Sequence, residues 1–325
     1  MIINSANIKA LSLLGQKGSV FNYGLLEAAA EHDNLRLLTA DMALLTGVDR
    51  FRRKYPERFL QVGIAEQNMI GIAAGLAMEG EMPVATTYCS FLAVRDLEQV
   101  RQNVSSTGAN VKLVGTFAGV VAAKSGISHW ATEDISFMRT LPGMTVLSPS
   151  DGLEAYKAFK AMCDFDGPVY LRLSGTTGCP VIYDHDFDFS IGRFNLTRDG
   201  SDVAIIATGL MVKEAMDAAD MLGKRGVSVA VYDAATIKPL DTDTLDEIFD
   251  RCLLVVTLEE HMITGGLGSA VAEYKAAKSH APVQLTLGFD DRYTRPGSQR
   301  YIWDLAGITA DAVADRIVDA IKYYW

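Results

Sequence analysis

Apolar runs just long enough for a buried strand alternate with longer amphipathic segments through almost the whole chain. That alternation limits the fold more than any other feature. In the first half the strand-like runs are NLRLLTA (34–40), EMPVATTY (81–88), NVKLVGTFAG (110–119), MTVLSPS (144–150) and PVYLRLS (168–174). Helical patterns cover 23–31, 66–79, 91–104 and 153–163. Strands joined by helix-length crossovers pair in parallel, so the pattern predicts an α/β sheet with helices on its faces. The stretch 174–194 is rich in Gly, Thr and Asp and reads as an interdomain connection. A second series follows, with strands predicted at 202–209, 227–234, 252–260 and 283–289. Its helices are predicted at 213–224, 245–250, 267–277 and 309–324. The expectation is two domains, 1–187 and 188–325, each a mostly parallel sheet flanked by helices. A length of 325 residues accommodates two domains of ~150.

Charge and composition exclude several functions. Acidic residues number 40 against 30 basic, a net charge of −10, and no basic stretch offsets it, so no nucleic-acid partner is expected. No apolar run reaches the ~18 residues of a membrane span, and the first twenty residues lack a signal-peptide core. Cys89, Cys163, Cys179 and Cys252 stand far apart with no C-x-x-C, which argues against a disulfide framework or zinc site and fits a reducing cytoplasm.

Few motifs carry chemistry. G-x-S-x-G, G-x-x-x-x-G-K-[ST] and H-E-x-x-H are all absent. TGGLGSAV (264–271) follows a strand and opens a helix, but Val271 stands where a dinucleotide fingerprint has its third Gly. Tight strand–helix packing is the favoured reading there. The most informative segment is VGIAEQNMIGIAAGLAMEG (62–80), a nearly uncharged helix with one carboxylate, Glu66, near its start. Met69, Ile70, Ala73 and Ala77 share its face. An acid on an apolar face is costly unless satisfied or used. Taken alone, Glu66 equally suits a capping or helix-dipole role. Gly71 and Gly75 permit another backbone to approach closely.

VGIAEQN followed by a small-residue helix resembles the pyrimidine-binding domain of the transketolase superfamily. The likeness extends through TTYCSFLAVRDLEQVRQNV (86–104), SGISHWATEDISFMRTLPGMTVLSPSD (125–151) and GPVYLRLSG (167–175). DAATIKPLD (233–241), TLEEHMITGGLGSAVAE (257–273) and LGFDDRYTRPGS (287–298) resemble that family's C-terminal domain. These spaced blocks cover essentially the whole chain.

The resemblance implies thiamine diphosphate as cofactor and gives Glu66 a task. A carboxyl hydrogen-bonded to the pyrimidine N1′ promotes the imino form of the 4′-amino group, which removes the weakly acidic thiazolium C2 proton. Ile64, Met69 and Ile70 would keep that carboxyl dry. Tyr88 and Phe91 would stack on the pyrimidine, unless they are ordinary core. Val94 stands where transketolases place a second Phe. ADM (40–42) matches a cofactor-touching segment, with Met42 under the bent cofactor and Asp41 either touching it or capping the turn. His129 matches a histidine that contacts substrate oxygens, its alternative being a satisfied loop residue. Phe117 and Ser125 replace a histidine and an aspartate that read the sugar. Gly175 replaces a phosphate-gripping Arg, leaving Lys17 or Arg172 as substitutes to be considered.

The family holds Mg2+ (or Ca2+) and the diphosphate through a G-D-G…N motif in another domain. This chain has no G-D-G and about half the length of a single-chain member. The resemblance therefore implies the second subunit of a split transketolase. A separate N-terminal-type subunit would hold the metal, with none bound by this chain alone. The expected assembly is an α2β2 heterotetramer with a homodimer contact through this chain. The expected reaction moves a two-carbon ketol unit from a ketose to an aldehyde, which need not be an ordinary sugar phosphate. The rival reactions are decarboxylation of a 2-oxo acid and a non-catalytic partner role.

Overall fold

The computed structural model describes residues 1–174 and 177–324. The first half contributes six strands: β1 (Leu35–Thr39), β2 (Phe59–Gln61), β3 (Met82–Tyr88), β4 (Lys112–Thr116), β5 (Thr145–Leu147) and β6 (Val169–Arg172). The second contributes β7 (Asn195–Arg198), β8 (Val203–Ala207), β9 (Val229–Asp233), β10 (Thr236–Lys238), β11 (Leu254–Met262) and β12 (Val283–Phe289). One sheet has the order β10-β5-β6-β4-β3-β1-β2 and the other β12-β11-β8-β9-β7. All pairings are parallel except β10 with β5 and β7 with β9, each at a sheet edge. The expected α/β class is thus the observed one.

The central strands β4, β8 and β9 are buried along their whole length, as strands covered by helices on both faces must be. β10 belongs by sequence to the second half but extends the first sheet, so the halves share backbone hydrogen bonds. Glu260, at the end of β11, deepens that union. Its Oε1 accepts from Val120 N at 3.1 Å, Gln299 Nε2 at 2.9 Å and Trp303 Nε1 at 2.8 Å. Gly119 has φ +61°, and a Cβ there would lie 2.3 Å from the Glu260 carboxyl carbon, so only glycine fits. These contacts anchor the loop that leads to His129.

Several short elements, among them β2, β7, β10 and the helices Asp134–Thr140 and Gln299–Ala306, lie where the sequence predicts none, and two longer stretches also differ. Ser5–Ser19 is helical where the sequence predicts no helix, and it is broken by a kink at Gly15 (φ 71°, ψ 176°). The stretch 91–104 is not one helix. It contains π-turns at Phe91–Arg95 and Val100–Ser105, and an extra residue in such a turn shifts the phase of all that follows.

Candidate active site

The site lies beyond the carboxyl ends of β1, β3 and β4, where parallel sheets place their ligands. Glu66 is the first residue of the helix Glu66–Met78 and is 5% exposed. Its Oε1 accepts from Arg95 Nη1 at 3.0 Å. The Arg95 guanidinium also lies over the Phe91 ring, 3.9 Å from its centre. Gln67 Nε2 donates to Arg95 O and ties the π-turn to the helix. Asp96, next in sequence, is fully buried, and neither carboxyl oxygen has a hydrogen-bond partner. Burial, followed by the negative charge of Glu66, pushes its pKa up to about 7. Sequence reasoning missed Arg95 and Asp96. Their separation from Glu66 along the chain carries no local period, and only the π-turn brings them to it.

Strand register builds the aromatic wall. Tyr88 pairs with Thr116 at the ends of β3 and β4, so Phe117 follows directly beside it. The Tyr88 ring lies 4.6 Å from Phe117, 5.3 Å from Phe91 and 5.7 Å from His129. His129 is also 5.7 Å from Phe91, and its Nδ1 shares a hydrogen bond with Ser128 Oγ at 2.9 Å. The sequence-predicted residues Glu66, Tyr88, Phe91 and His129 therefore gather in one place. Phe117 (φ 59°) and Asp41 (φ 57°) are the two non-glycine residues at positive φ among the described residues. Both sit just past a strand end at this site, where such strain concentrates.

Asp41 and Met42 follow β1. Asp41 N donates to Gln61 Oε1 at 2.6 Å. Met42, half-buried, occupies the cap position of the short helix Ala43–Thr46, without a side-chain cap bond. Asp41 is therefore not that helix's cap. Met69 and Ile70 are fully buried beneath the site helix, whereas Ile64 is 81% exposed on the rim. Leu44, Val94 and Ile127 are also exposed, and a Cβ at Gly71 or Gly75 would meet nothing within 4 Å.

Gly175 lies outside the described residues. Arg172 is committed elsewhere: its Nε donates to Asp134 Oδ2 at 2.8 Å, and its Nη2 to Ala131 O and Glu260 O. It is a buried strut that joins the loop to the second half and is not available to a substrate. Lys17 donates from Nζ to Leu45 O at 2.8 Å and lies 5.1 Å from the Phe117 ring centre, with burial lowering its pKa. In the TGGLGSAV turn, Leu267 N and Gly268 N donate to the Glu259 carboxylate at 2.7 and 2.8 Å. The chain's own anion thus takes the helix N-terminus that a dinucleotide would need.

Residues 18–178 match the transketolase pyrimidine-binding domain, and residues 192–313 the transketolase C-terminal domain. The chain belongs to the transketolase family. It is 38% identical over 289 residues to the 6-deoxy-6-sulfo-D-fructose transketolase subunit SqwH of Clostridium sp. (strain MSTE9), covering 89% of each chain. It is 32% identical over 303 residues to a subunit of the apulose-4-phosphate transketolase of Phocaeicola vulgatus, covering 93% of this chain and 96% of that one. A solved split-gene transketolase, described as an inactive β4 tetramer, superposes with a TM-score of 0.86 at 35% identity. That match covers 95% of this chain and 98% of the other. The chain is a transketolase-like subunit.

The family implies thiamine diphosphate, and the residues present fit its pyrimidine half. A buried carboxyl, a second carboxyl with unpartnered oxygens and an aromatic wall meet at one open edge. Among the described residues no three His, Cys, Asp or Glu side chains gather as a metal site.

Proposed function

We propose that this chain is one half of a split, thiamine diphosphate-dependent transketolase that moves a two-carbon ketol unit from a ketose donor to an aldehyde acceptor. The observation that carries the reading is Glu66, a carboxyl of 5% exposure at the head of an otherwise uncharged helix, set against the ring of Phe91 through Arg95. When bound, thiamine diphosphate supplies the nucleophilic carbon.

Each side chain then has a defined task. Glu66 holds a proton at the pyrimidine N1′. Asp96, partly protonated near neutral pH, limits negative charge beside it. Arg95 leaves the Glu66 carboxylate when the pyrimidine takes its place. Tyr88 and Phe91 cover the ring, Met42 and Asp41 bound it, and Ile64 seals the rim against a partner. His129 hydrogen-bonds substrate oxygens and moves their protons.

The partner subunit carries the G-D-G…N motif and holds Mg2+ or Ca2+ with the diphosphate. The exposed Ile64, Leu44, Val94 and Gly71–Gly75 face is where an α2β2 assembly, with a homodimer contact through this chain, covers the site. The four cysteines are unpaired, in keeping with a cytoplasmic enzyme. No helix of the described residues is long and apolar enough to cross a membrane.

The test combines the chain with its partner, thiamine diphosphate, Mg2+, a ketose donor and an aldehyde acceptor. The expected product is a ketose two carbons longer than the acceptor, formed only with the cofactor present. Turnover that requires a 2-oxo acid and releases CO2 would replace this reading with the decarboxylating one.

A further inference from the structure

The kinked helix Ser5–Ser19 lies outside the proposed site, yet one turn of it holds several of the segments that build the site. The residue after the kink, Gln16, is 1% exposed. Its Nε2 donates to Pro149 O at 2.6 Å, and its Oε1 accepts from Ser174 N at 2.7 Å. Pro149 follows β5 and Ser174 follows β6, and these strands are parallel neighbours. One carboxamide therefore ties together the carboxyl ends of two strands, the edge at which a parallel sheet carries its ligands. The task needs a donor and an acceptor on one side chain, since Pro149 presents a carbonyl and Ser174 an N–H. Among the described residues nothing else bonds to Pro149 O or Ser174 N.

The tie reaches the aromatic wall in two steps. Leu173, just before Ser174, accepts at its carbonyl from Ala118 N at 3.0 Å and donates from its own N–H to Gly115 O at 2.9 Å. Those two bonds bracket Phe117, which is held at positive φ. With Tyr88 and His129, Phe117 lines a cleft of about 420 Å³ that Gln299 closes from the second half. Its volume is that of a small-molecule site. The neighbours of Gln16 brace the same region. Leu13 O accepts from Gly178 N at 3.0 Å and Ser12 O from Cys179 N at 2.9 Å, so the chain is pinned at Ser174 and again at Gly178 and Cys179. Gly152 seats the turn: a Cβ there would lie 2.6 Å from Leu11 O, so only glycine lets the kinked helix rest on the start of the helix Gly152–Asp164.

We propose that Gln16 is a positioning residue of the acceptor cleft: its carboxamide sets the end of β6 against β5 and thereby fixes the wall that carries Phe117. This rests on the ketol-transfer reading and gives a part in acceptor binding to a residue that does not line the cleft. Gln16 acts through Ser174 and Leu173, and none of its bonds runs to Glu66, Arg95 or Phe91 on the cofactor side. Its loss is therefore felt by the acceptor and not by the cofactor. A small misplacement of such a wall costs roughly ten-fold in the reactivity of a bound substrate.

Two measurements test it, each on wild type, Gln16→Met and Gln16→Glu. Met keeps the length of the side chain and removes both hydrogen bonds. Glu keeps the acceptor toward Ser174 N; ionised, it sets a second oxygen against Pro149 O, and protonated it donates there as the amide does. Burial favours the protonated form, so acid pH should repair this variant and not the other. The first measurement needs no turnover: hydrogen exchange at the Ser174 amide, read by fragmentation mass spectrometry on the full chain. Gln16→Met should exchange about five- to ten-fold faster than wild type, the worth of one hydrogen bond. Gln16→Glu should approach wild type as pH falls. The second is kinetics of the reconstituted complex with a ketose donor and glyceraldehyde. Gln16→Met should lower kcat/KM for the aldehyde roughly ten-fold and leave the thiamine diphosphate concentration for half-activation unchanged. The ratio of Gln16→Glu to wild type should rise toward acid pH. Unchanged exchange at Ser174, or equal losses for aldehyde and cofactor, would make Gln16 ordinary core and overturn the proposal. If Gln16→Met does not fold, a Gln16→Glu ratio flat with pH overturns it instead. Unchanged exchange with ketol transfer intact removes the role of Gln16 and leaves the proposed function standing. Faster exchange in a complex that transfers no ketol unit removes the proposed function and, with it, the acceptor role, while the tie between β5 and β6 remains.

Discussion

Arg95 donates to the Glu66 carboxylate at 3.0 Å while its guanidinium lies 3.9 Å from the centre of the Phe91 ring. One side chain therefore covers both the acid and the aromatic face that the cofactor is proposed to use. Arg95 is 48% exposed, so its pair with Glu66 is partly screened by water and contributes little to hold it in place. The ring-face contact adds no more than ~1 kcal/mol at such an exposed position. Displacing Arg95 is thus a small barrier, compatible with a site that opens to a cofactor.

Glu66→Gln should leave the fold intact and remove most of the activity of the complex. The only hydrogen bond that the Glu66 carboxyl accepts among the described residues is the one from half-exposed Arg95, so stability should change by no more than ~1 kcal/mol. Loss of the proton held at the pyrimidine should slow turnover by about a hundred-fold or more. Circular dichroism and a ketol-transfer assay check the two halves separately. Near-normal turnover would reject the assigned role.

Much of this was legible in the sequence. The alternation of apolar runs gives the parallel sheets, and the lone carboxylate of the helix Glu66–Met78 marks the site. What was not legible depends on contacts without a local period. β10 adds to the first sheet from far along the chain, and its short span carries no strand pattern of its own. Arg172 looks like a free cation in sequence and is a buried strut in space, because Asp134 meets it from a different element. Asp96 looks like one more surface acid on a helix until the π-turn rotates it inward.

Asp96 makes stability depend on pH. Its carboxyl binds a proton more tightly folded, at about 7, than unfolded, near the ordinary 3.8. Between those values the folded state holds more protons, so stability falls as pH rises from about 4 to 7 and levels off above. Asp96→Asn removes the penalty. Its gain over wild type should grow across that window to about 2 kcal/mol, below the full linkage value because half-exposed Arg95 and water screen the site. Urea unfolding at pH 4, 6 and 8 checks it. Parallel pH curves for the two proteins would mean that Asp96 is ionised and satisfied.

Arg172→Met should destabilise the chain by about 3–5 kcal/mol, since it leaves the Asp134 carboxylate buried beside Tyr170 without its cation. The double variant with Asp134→Asn should recover part of the loss. If Arg172→Met instead folded normally and raised KM for anionic substrates alone, Arg172 would be a substrate residue.

Gly268→Ala should destabilise by about 1–3 kcal/mol through overpacking, because its Cβ would lie 2.4 Å from Thr286 Cγ2 and 2.8 Å from Thr257 Oγ1. Neither wild type nor variant should bind a dinucleotide, as Glu259 occupies the helix N-terminus. Thermal unfolding with and without NAD reads both expectations. A thermal shift with NAD would contradict the packing role of this turn.

If the chain holds half of an active site, turnover by the chain alone must differ from turnover with its partner. The purified chain, with thiamine diphosphate, Mg2+, ketose donor and aldehyde acceptor, should form no ketose product and bind the cofactor weakly. Adding the subunit that carries G-D-G…N should restore both binding and ketol transfer. Full turnover by this chain without any added protein would contradict the split-enzyme account.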